Sequence, residues 1–331
     1  MNEQNSGAAG VAIITRTKNR PVLLRRAVAD VLAQQYTDWH LVVVNDGGDA
    51  AEVDRIIAEA PGLEGRVTVL HHAASAGMEA ASNAGIAASD SEFLAIHDDD
   101  DTWHPEFLAR TVEYLGSHAD DVGVGVRTEI VLERTEGSRI LETGRVPFAE
   151  DVDGLFLGDA LRYNRCVPIS LLYRRDIHGM VGGYDESLAA VGDWEFLIRL
   201  LQNHSLGFLD GEPLAYWHHR EGAEGEDANS VLAGKNDHRR FDKLVRDRHL
   251  QEYIKQNGIG GLLFLTGELK QQADHLHQRL NYSEEILHEL RDRAVHAEER
   301  MAALEAAVSD ASLVSLLRRR YRSLKDRLRR R

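Results

Sequence analysis

Four consecutive carboxylates, Asp98, Asp99, Asp100 and Asp101, follow one residue, His97, after the apolar run Phe93-Leu94-Ala95-Ile96. The apolar run reads as a buried strand, and acids crowded at its end repel one another and raise each other's pKa. A cation removes that cost. Mg²⁺ and Mn²⁺ take carboxylate oxygens and complete their shells with phosphate oxygens of a substrate. Ligands of open α/β sheets collect at the carboxyl ends of strands, so the run points to a metal–diphosphate site. A solvated acidic loop is the ordinary fate of a charge run, but Trp103 and Pro105 close behind this one argue against it. Other groups invite chemistry one by one. Asp46 precedes two glycines, which turn chemistry alone would explain. Asp193 stands at a helix start, where the dipole favours an acid in any case. His218 and His219 end a strand, and imidazole is a ligand for Mn²⁺. The single cysteine, Cys166, reads as a small buried apolar side chain rather than a nucleophile.

The elements that must position these groups alternate. Val11–Ile14, His40–Val44, Val67–Leu70 and Phe93–Ile96 read as strands, separated by helical spacings that begin at Pro21, Glu52 and Met78. Strands alternating with helices imply parallel βαβ units. After Asp120 the pattern changes: Val122–Leu132 and Arg139–Thr143 read as a hairpin around Glu136-Gly137-Ser138, and 146–164 as irregular. Val167–Tyr173 reads as a strand, Trp194–Leu201 as a helix and Pro213–His218 as a last strand. The expected α/β architecture is a Rossmann-like nucleotide-binding half continued into a mixed-sheet half.

The 331 residues suffice for one large or two smaller domains, and 43% hydrophobic residues for a sizeable core. One cysteine excludes an intrachain disulfide framework and suits a reducing compartment. No signal peptide or membrane span is visible, so the expected location is cytoplasmic, with peripheral contact at the inner face of a membrane as the alternative. The net charge of −15 conceals an asymmetry: Arg318 to Arg331 holds nine Lys/Arg against one acid, +8, which leaves −23 for the remainder. An acidic body argues against nucleic acid as partner.

In order and spacing the motifs resemble family 2 glycosyltransferases, which have the GT-A fold. They are the run from Val11 to Pro21, Asn45-Asp46-Gly47-Gly48, Ser82-Asn83-Ala84-Gly85, His97 to Pro105, Gly183-Tyr184-Asp185-Glu186, Gly192-Asp193-Trp194-Glu195 and Tyr216-Trp217-His218-His219. The resemblance covers about Val11 to Ser230. It implies a nucleotide-diphosphate-sugar donor and a hydroxyl acceptor on a glycan or lipid-linked chain, in cell-envelope polysaccharide synthesis. By the same resemblance Thr15, Arg16 and Thr17 line the nucleotide pocket, Asp46 takes a hydrogen bond from the base, and Asp99 lies near the ribose. Asp98 and Asp100 match the family's DxD pattern, with Asp100 the most direct ligand of Mn²⁺ or Mg²⁺. Asp193 is the implied base of an inverting transfer, with Glu195 second, and His219 completes the metal shell, with His218 its rival for register. Gly192 stands where the family usually has Glu. Trp194 and Trp217 are candidates for stacking on a sugar, or for the core. Two rival readings are a sugar nucleotidyltransferase, which would want a Gly-rich phosphate loop after the first strand, and a non-catalytic scaffold of a synthase complex.

From about Gly267 a three-four spacing runs through Leu269, Leu276, Leu280, Leu287, Leu290, Ala294, Ala297, Met301, Leu304 and Val308. Roughly six heptads favour a coiled coil and hence a homo-oligomer. The tail, with apolar residues at 313, 316, 317, 321, 324 and 328 among arginines, suits an anionic membrane surface. The expected division is a disordered 1–10, a catalytic 11–255, a coiled-coil 256–312 and a basic amphipathic 313–331.

Overall fold

A computed structural model describes residues 10–136, 139–221, 235–310 and 312–330. Residues 1–9, expected to be disordered, and the turn residues Gly137 and Ser138 lie outside the described residues, as does 222–234. Two compact units divide the chain, Met1–His249 and Leu250–Arg331.

The first unit is built on β1 (Val11–Thr17), β2 (Trp39–Asp46), β3 (Val67–His72) and β4 (Phe93–Ile96), joined by α1 (Pro21–Leu32), α2 (Ala50–Ala58) and α3 (Met78–Ala87). β1 pairs in parallel with both β2 and β4, and β2 with β3. Successive residues of β1 and β2 feed different cores: Ala12, Ile14, Val42 and Val44 pack on one face, Val11, Ile13, Leu41 and Val43 on the other. Burial on both faces is why these strands read as unbroken apolar runs rather than alternating ones.

The sheet continues beyond β4 through β9 (Leu171–Arg174), β6 (Asp121–Val126) and β10 (Ser205–Leu209), in the order β10-β6-β9-β4-β1-β2-β3, with β9 antiparallel to both its neighbours. A second sheet has the order β5-β11-β7-β8, formed by β5 (Thr102–Trp103), β7 (Thr128–Glu136), β8 (Arg139–Pro147) and β11 (Ala215–Glu221). The segment read as one strand, Val122–Leu132, is therefore two strands in two sheets. Arg127 sits at the break, its guanidinium bonded to Asp210 Oδ1 at 2.6 Å and to the carbonyls of Ala149, Glu150 and Val152. The strand expected at Val167–Tyr173 begins only at Leu171, directly after a 3₁₀ turn at Pro168–Ser170, because Pro168 lacks the N–H a strand interior needs. β10 and β5 escaped the sequence reading because each is short, and 146–164 carries one helical turn, α5 (Leu157–Ala160), before α6 (Ile177–Val181) and α7 (Gly192–Asn203). β5 pairs with β11, Thr102 opposite Tyr216 and Trp103 opposite Ala215, so the chain leaving the acidic run is stitched to the strand that carries His218 and His219.

Three further helices follow: α8 (Lys235–Asn257), α9 (Gly260–Asp310) and α10 (Leu313–Arg329). The heptad residues of α9 fall on one helix of 51 residues, with Leu269, Leu276, Leu287 and Leu304 exposed. No helix among the described residues is long and apolar enough to cross a membrane.

Candidate active site

The cations that settle the acidic run in this structure are guanidinium groups. Arg16, on β1, grips Asp98 with Nε to Oδ1 at 2.8 Å and Nη2 to Oδ2 at 2.7 Å. Arg20, at the entry to α1, pairs with Asp99 at 3.1 Å and Asp100 at 3.5 Å. Arg220, on β11, holds Asp100 Oδ2 at 2.6 Å, and Asp101 accepts the backbone N–H of His218 at 2.9 Å. Behind them Glu133 of β7 takes Arg26 Nη1 at 2.5 Å and His218 Nδ1 at 2.6 Å. The far end is anchored by Trp103, which stacks on Phe107 and donates its indole N–H to the Ile169 carbonyl.

The charges respond accordingly. Burial pushes Asp99 up to about 7 against the pull of Arg20, and raises Asp101 well above the usual carboxylate range, helped by Asp100 and Asp98. Asp100 is buried too, yet Arg220 and Arg20 hold it below that range. Arg16 is lifted above its ordinary value by Asp98 and Glu79 despite its burial. Among the described residues no three His, Cys, Asp or Glu side chains stand grouped as a ready cation cage.

The two histidines differ sharply. His218 has its ring nitrogens engaged, Nδ1 by Glu133 and Nε2 by the Thr102 hydroxyl at 2.7 Å. His219 Nε2 is buried and has no hydrogen-bond partner among the described residues, and burial lowers its pKa against the pull of Asp100. A neutral imidazole with an open lone pair is the chemistry a metal ion takes. Mg²⁺ is commonly held by one or two carboxylates plus substrate phosphates, and Asp100 and His219 are the groups whose chemistry suits such an ion, with Asp100 Oδ2 held by Arg220 in this structure. Both oxygens of Asp98 are occupied by Arg16.

A cavity of about 410 Å³ brings together Arg16, Asp98, Asp101, Asp193, Trp194 and Trp217, with Glu79 from α3, Asn164 from the loop after α5, and His238, Asp242 and Arg246 from α8. Asp193 lies in the first turn of α7, where its Oδ2 accepts the Asn164 amide at 2.7 Å and burial raises its pKa. The turn before it is strained: Val191, a β-branched residue, adopts the left-handed conformation with φ 61°. Glu195 points elsewhere, clamped by Arg199 Nε at 2.8 Å. Trp194 belongs to the core as well, donating its indole N–H to the Ala160 carbonyl. Thr15 and Thr17 are buried beside β2 and β4, and the Thr15 hydroxyl has no partner.

Asp46 stands apart from this cavity, at the end of β2. Its carboxylate accepts from His72 Nδ1, Ser75 Oγ, Ala76 N and Gly77 N at 2.6–3.0 Å, which fills the roughly four acceptor sites a carboxylate has. Those donors hold it below the usual range despite burial. The loop can close this tightly because Gly47, at φ 78°, has no side chain: a Cβ there would lie 2.4 Å from Ser75 N. Taking a hydrogen bond from a base would require one of the four donors to yield. Cys166 is buried, and burial pushes its thiol up to about 12, so it is inert as a nucleophile.

The sequence reading passed over Arg20, Arg26, Glu133 and Arg220, because their pairing is long-range, and Glu79, whose place at a helix start looks like ordinary dipole complementation. Arg220 is the test of the network, its side chain being 1% exposed. Arg220→Ala, which strands Asp100, is expected to cost about 3–5 kcal/mol in urea unfolding. A loss under about 1 kcal/mol would mean that the guanidinium is not what settles the run.

Comparison with known proteins follows this geometry. The family model described as Glycosyl transferase family 2 matches residues 12–177, half of the chain. The uncharacterized glycosyltransferase YwdF of Bacillus subtilis is 23% identical over 256 residues, covering 76% of this chain and 85% of its own. The PGL/p-HBAD biosynthesis glycosyltransferase of Mycobacterium tuberculosis is 27% identical over 197 residues, 59% of this chain and 71% of its own. Among solved structures, S. aureus TarS 1–349 in complex with UDP-GlcNAc superposes with a TM-score of 0.51 at 17% identity, over 66% of this chain and 61% of that one. The likeness to TarS gives the fold, GT-A, and the family match gives the chemistry: this chain belongs to glycosyltransferase family 2.

Proposed function

We propose that the protein transfers a sugar from a nucleotide-diphosphate donor to a hydroxyl of a glycan or lipid-linked acceptor, with inversion of the anomeric carbon and with Mn²⁺ or Mg²⁺ at the diphosphate. The observation that carries this reading is that Asp193 and the Arg16–Asp98 pair line one cavity. Asp193 takes the proton of the acceptor hydroxyl as its oxygen bonds to the anomeric carbon. The bond from that carbon to the diphosphate oxygen breaks, and its electron pair leaves with the phosphate. A single displacement from the opposite face inverts the centre. Burial favours this role, since a raised pKa makes a stronger base, and the Asn164 amide fixes the carboxylate. Arg16, Arg20 and Arg220 place positive charge where the leaving group gains negative charge. A divalent ion held by Asp100, His219 and donor phosphates would add Lewis-acid neutralisation. Asp98 would join it only on release by Arg16. Thr15, Arg16 and Thr17 would line the nucleotide pocket, Asp99 would meet the ribose, and Asp46 the base once a loop donor yields. A relative named for PGL/p-HBAD biosynthesis supports an acceptor in cell-envelope glycan assembly.

The second unit supplies partners in the same reading. The exposed leucines of α9 suit self-association as a coiled coil over 256–312. In α10 the exposed Leu313, Leu316, Leu317, Tyr321, Leu324 and Leu328 stand among arginines, which suits an anionic membrane surface.

A donor panel of UDP-, GDP- and dTDP-sugars, begun with UDP-GlcNAc and run with Mn²⁺, Mg²⁺ or EDTA, tests the chemistry. Metal-dependent release of one nucleotide is expected. Asp193→Asn should lower kcat about 10²–10⁴-fold while donor binding holds. Asp193 must be deprotonated to act, so the rate should fall as pH drops through a value above the usual carboxylate range. Full activity in Asp193→Asn would refute Asp193 as the base, and no donor bound with any metal would leave the scaffold. For the second unit, light scattering of the full chain should show an oligomer, and flotation should show binding to phosphatidylglycerol but not phosphatidylcholine vesicles. A monomer that floats with neither would refute both assignments.

A further inference from the structure

The proposed mechanism leaves one buried carboxylate of the cavity without a task. Glu79, in the first turn of α3, is 5% exposed and lines the cavity beside Asp98 and Asp193. The one polar contact it makes among the described residues is an ion pair with Arg16 Nη1 at 3.8 Å, beyond hydrogen-bonding range. Arg16 spends its other donors on Asp98, on the Met78 carbonyl and on the Ser82 hydroxyl. A buried carboxylate with open acceptor sites is costly unless something fills them.

The fold makes room for Glu79 deliberately. A Cβ at Gly192 would lie 2.3 Å from Glu79 Oε1 and 2.5 Å from its Cδ. Glu79 therefore occupies, from α3, the space that any side chain at the start of α7 would fill. The strained Val191 turn sets Gly192 there and puts Asp193 in the same cavity. Two independent features, an unfilled acceptor and a glycine that gives way to it, bring a carboxylate to the wall of the transfer cavity.

We propose that Glu79 binds substrate, accepting a hydrogen bond from a hydroxyl of the sugar being transferred. The assignment rests on the transferase reading above. Sugar hydroxyls are the donors such a cavity receives, and a carboxyl oxygen accepts from them, here with Glu79 pushed up to about 7 by burial against the pull of Arg16. A site built this way selects a donor sugar that carries the hydroxyl over its deoxy analogue, which would leave the carboxylate unpaired.

The experiment uses the full chain and whichever donor of the panel it turns over, together with that donor's monodeoxy analogues. With wild type, one deoxy analogue should lose about 10- to 100-fold in kcat/KM. Glu79→Ala should lose a similar factor on the parent donor and little more on that analogue, so that the two losses do not add. Glu79→Gln, which keeps the shape, should fall between and guards against a folding defect in Glu79→Ala. Losses that add for every analogue would overturn the role of Glu79 and leave the transferase reading intact. A wild type that neither turns over nor binds any donor would overturn both.

Discussion

The structure depends on neutralising four adjacent carboxylates at the end of a buried strand. Like charges this close cannot all stay ionised in a low-dielectric setting without compensation. Three arginines provide it, two from β1 and the turn that follows it and one, Arg220, from β11 some two hundred residues later. The arrangement fixes more than charge. Because Arg220 and the His218 backbone reach from β11 to Asp100 and Asp101, the second sheet is tied to the carboxyl edge of the first. His219 is thereby placed next to Asp100 with its lone pair open.

Such a network is also poised. A carboxylate that pairs with a guanidinium in one state can face a cation and a diphosphate in another, since arginine binds phosphate as readily as carboxylate. The same residues would then serve the donor: Arg16 and Arg20 turning toward phosphate oxygens, Asp98 and Asp99 released toward metal and ribose. On the other side of the cavity the requirement is reversed. As the proposed base Asp193 needs a raised pKa, which burial supplies against the pull of the Asn164 amide that holds the carboxylate in place, at the start of a helix entered through the strained Val191 turn.

Much of this could be read in the chain. The parallel strands β1 to β4 were legible because burial on both faces demands unbroken apolar runs between helical spacings. Asp98 to Asp101 and Asp193 stood out as candidates because the run follows a strand and Asp193 begins a helix, while His219 stood out only as one of a pair that lies inside β11. The counter-ions were not: an arginine announces no partner in sequence, and Arg16 reaches Asp98 across 82 residues. Nor could spacing separate His218 from His219, which alternate faces on one strand; only the pairing of His218 with Glu133 and Thr102 does so. The split at Arg127 escaped because the apolar runs Val122–Val126 and Ile130–Leu132 join across it as one strand, with Arg127 reading as a residue of its polar face. Gly192 could be seen as a departure from the family pattern, but its partner Glu79 is 113 positions away in the sequence.

The central claim is that guanidinium groups occupy the acidic run until a diphosphate and a metal arrive together. Titration of free Mn²⁺ by electron paramagnetic resonance, with and without the nucleoside diphosphate of the donor, tests it most directly. With Asp98 held by Arg16 and Asp100 Oδ2 by Arg220, binding to the protein alone should be weak and should tighten by at least about tenfold with the nucleotide, a coupling near 1.4 kcal/mol. Tight Mn²⁺ binding without nucleotide, or none in its presence, would contradict the account.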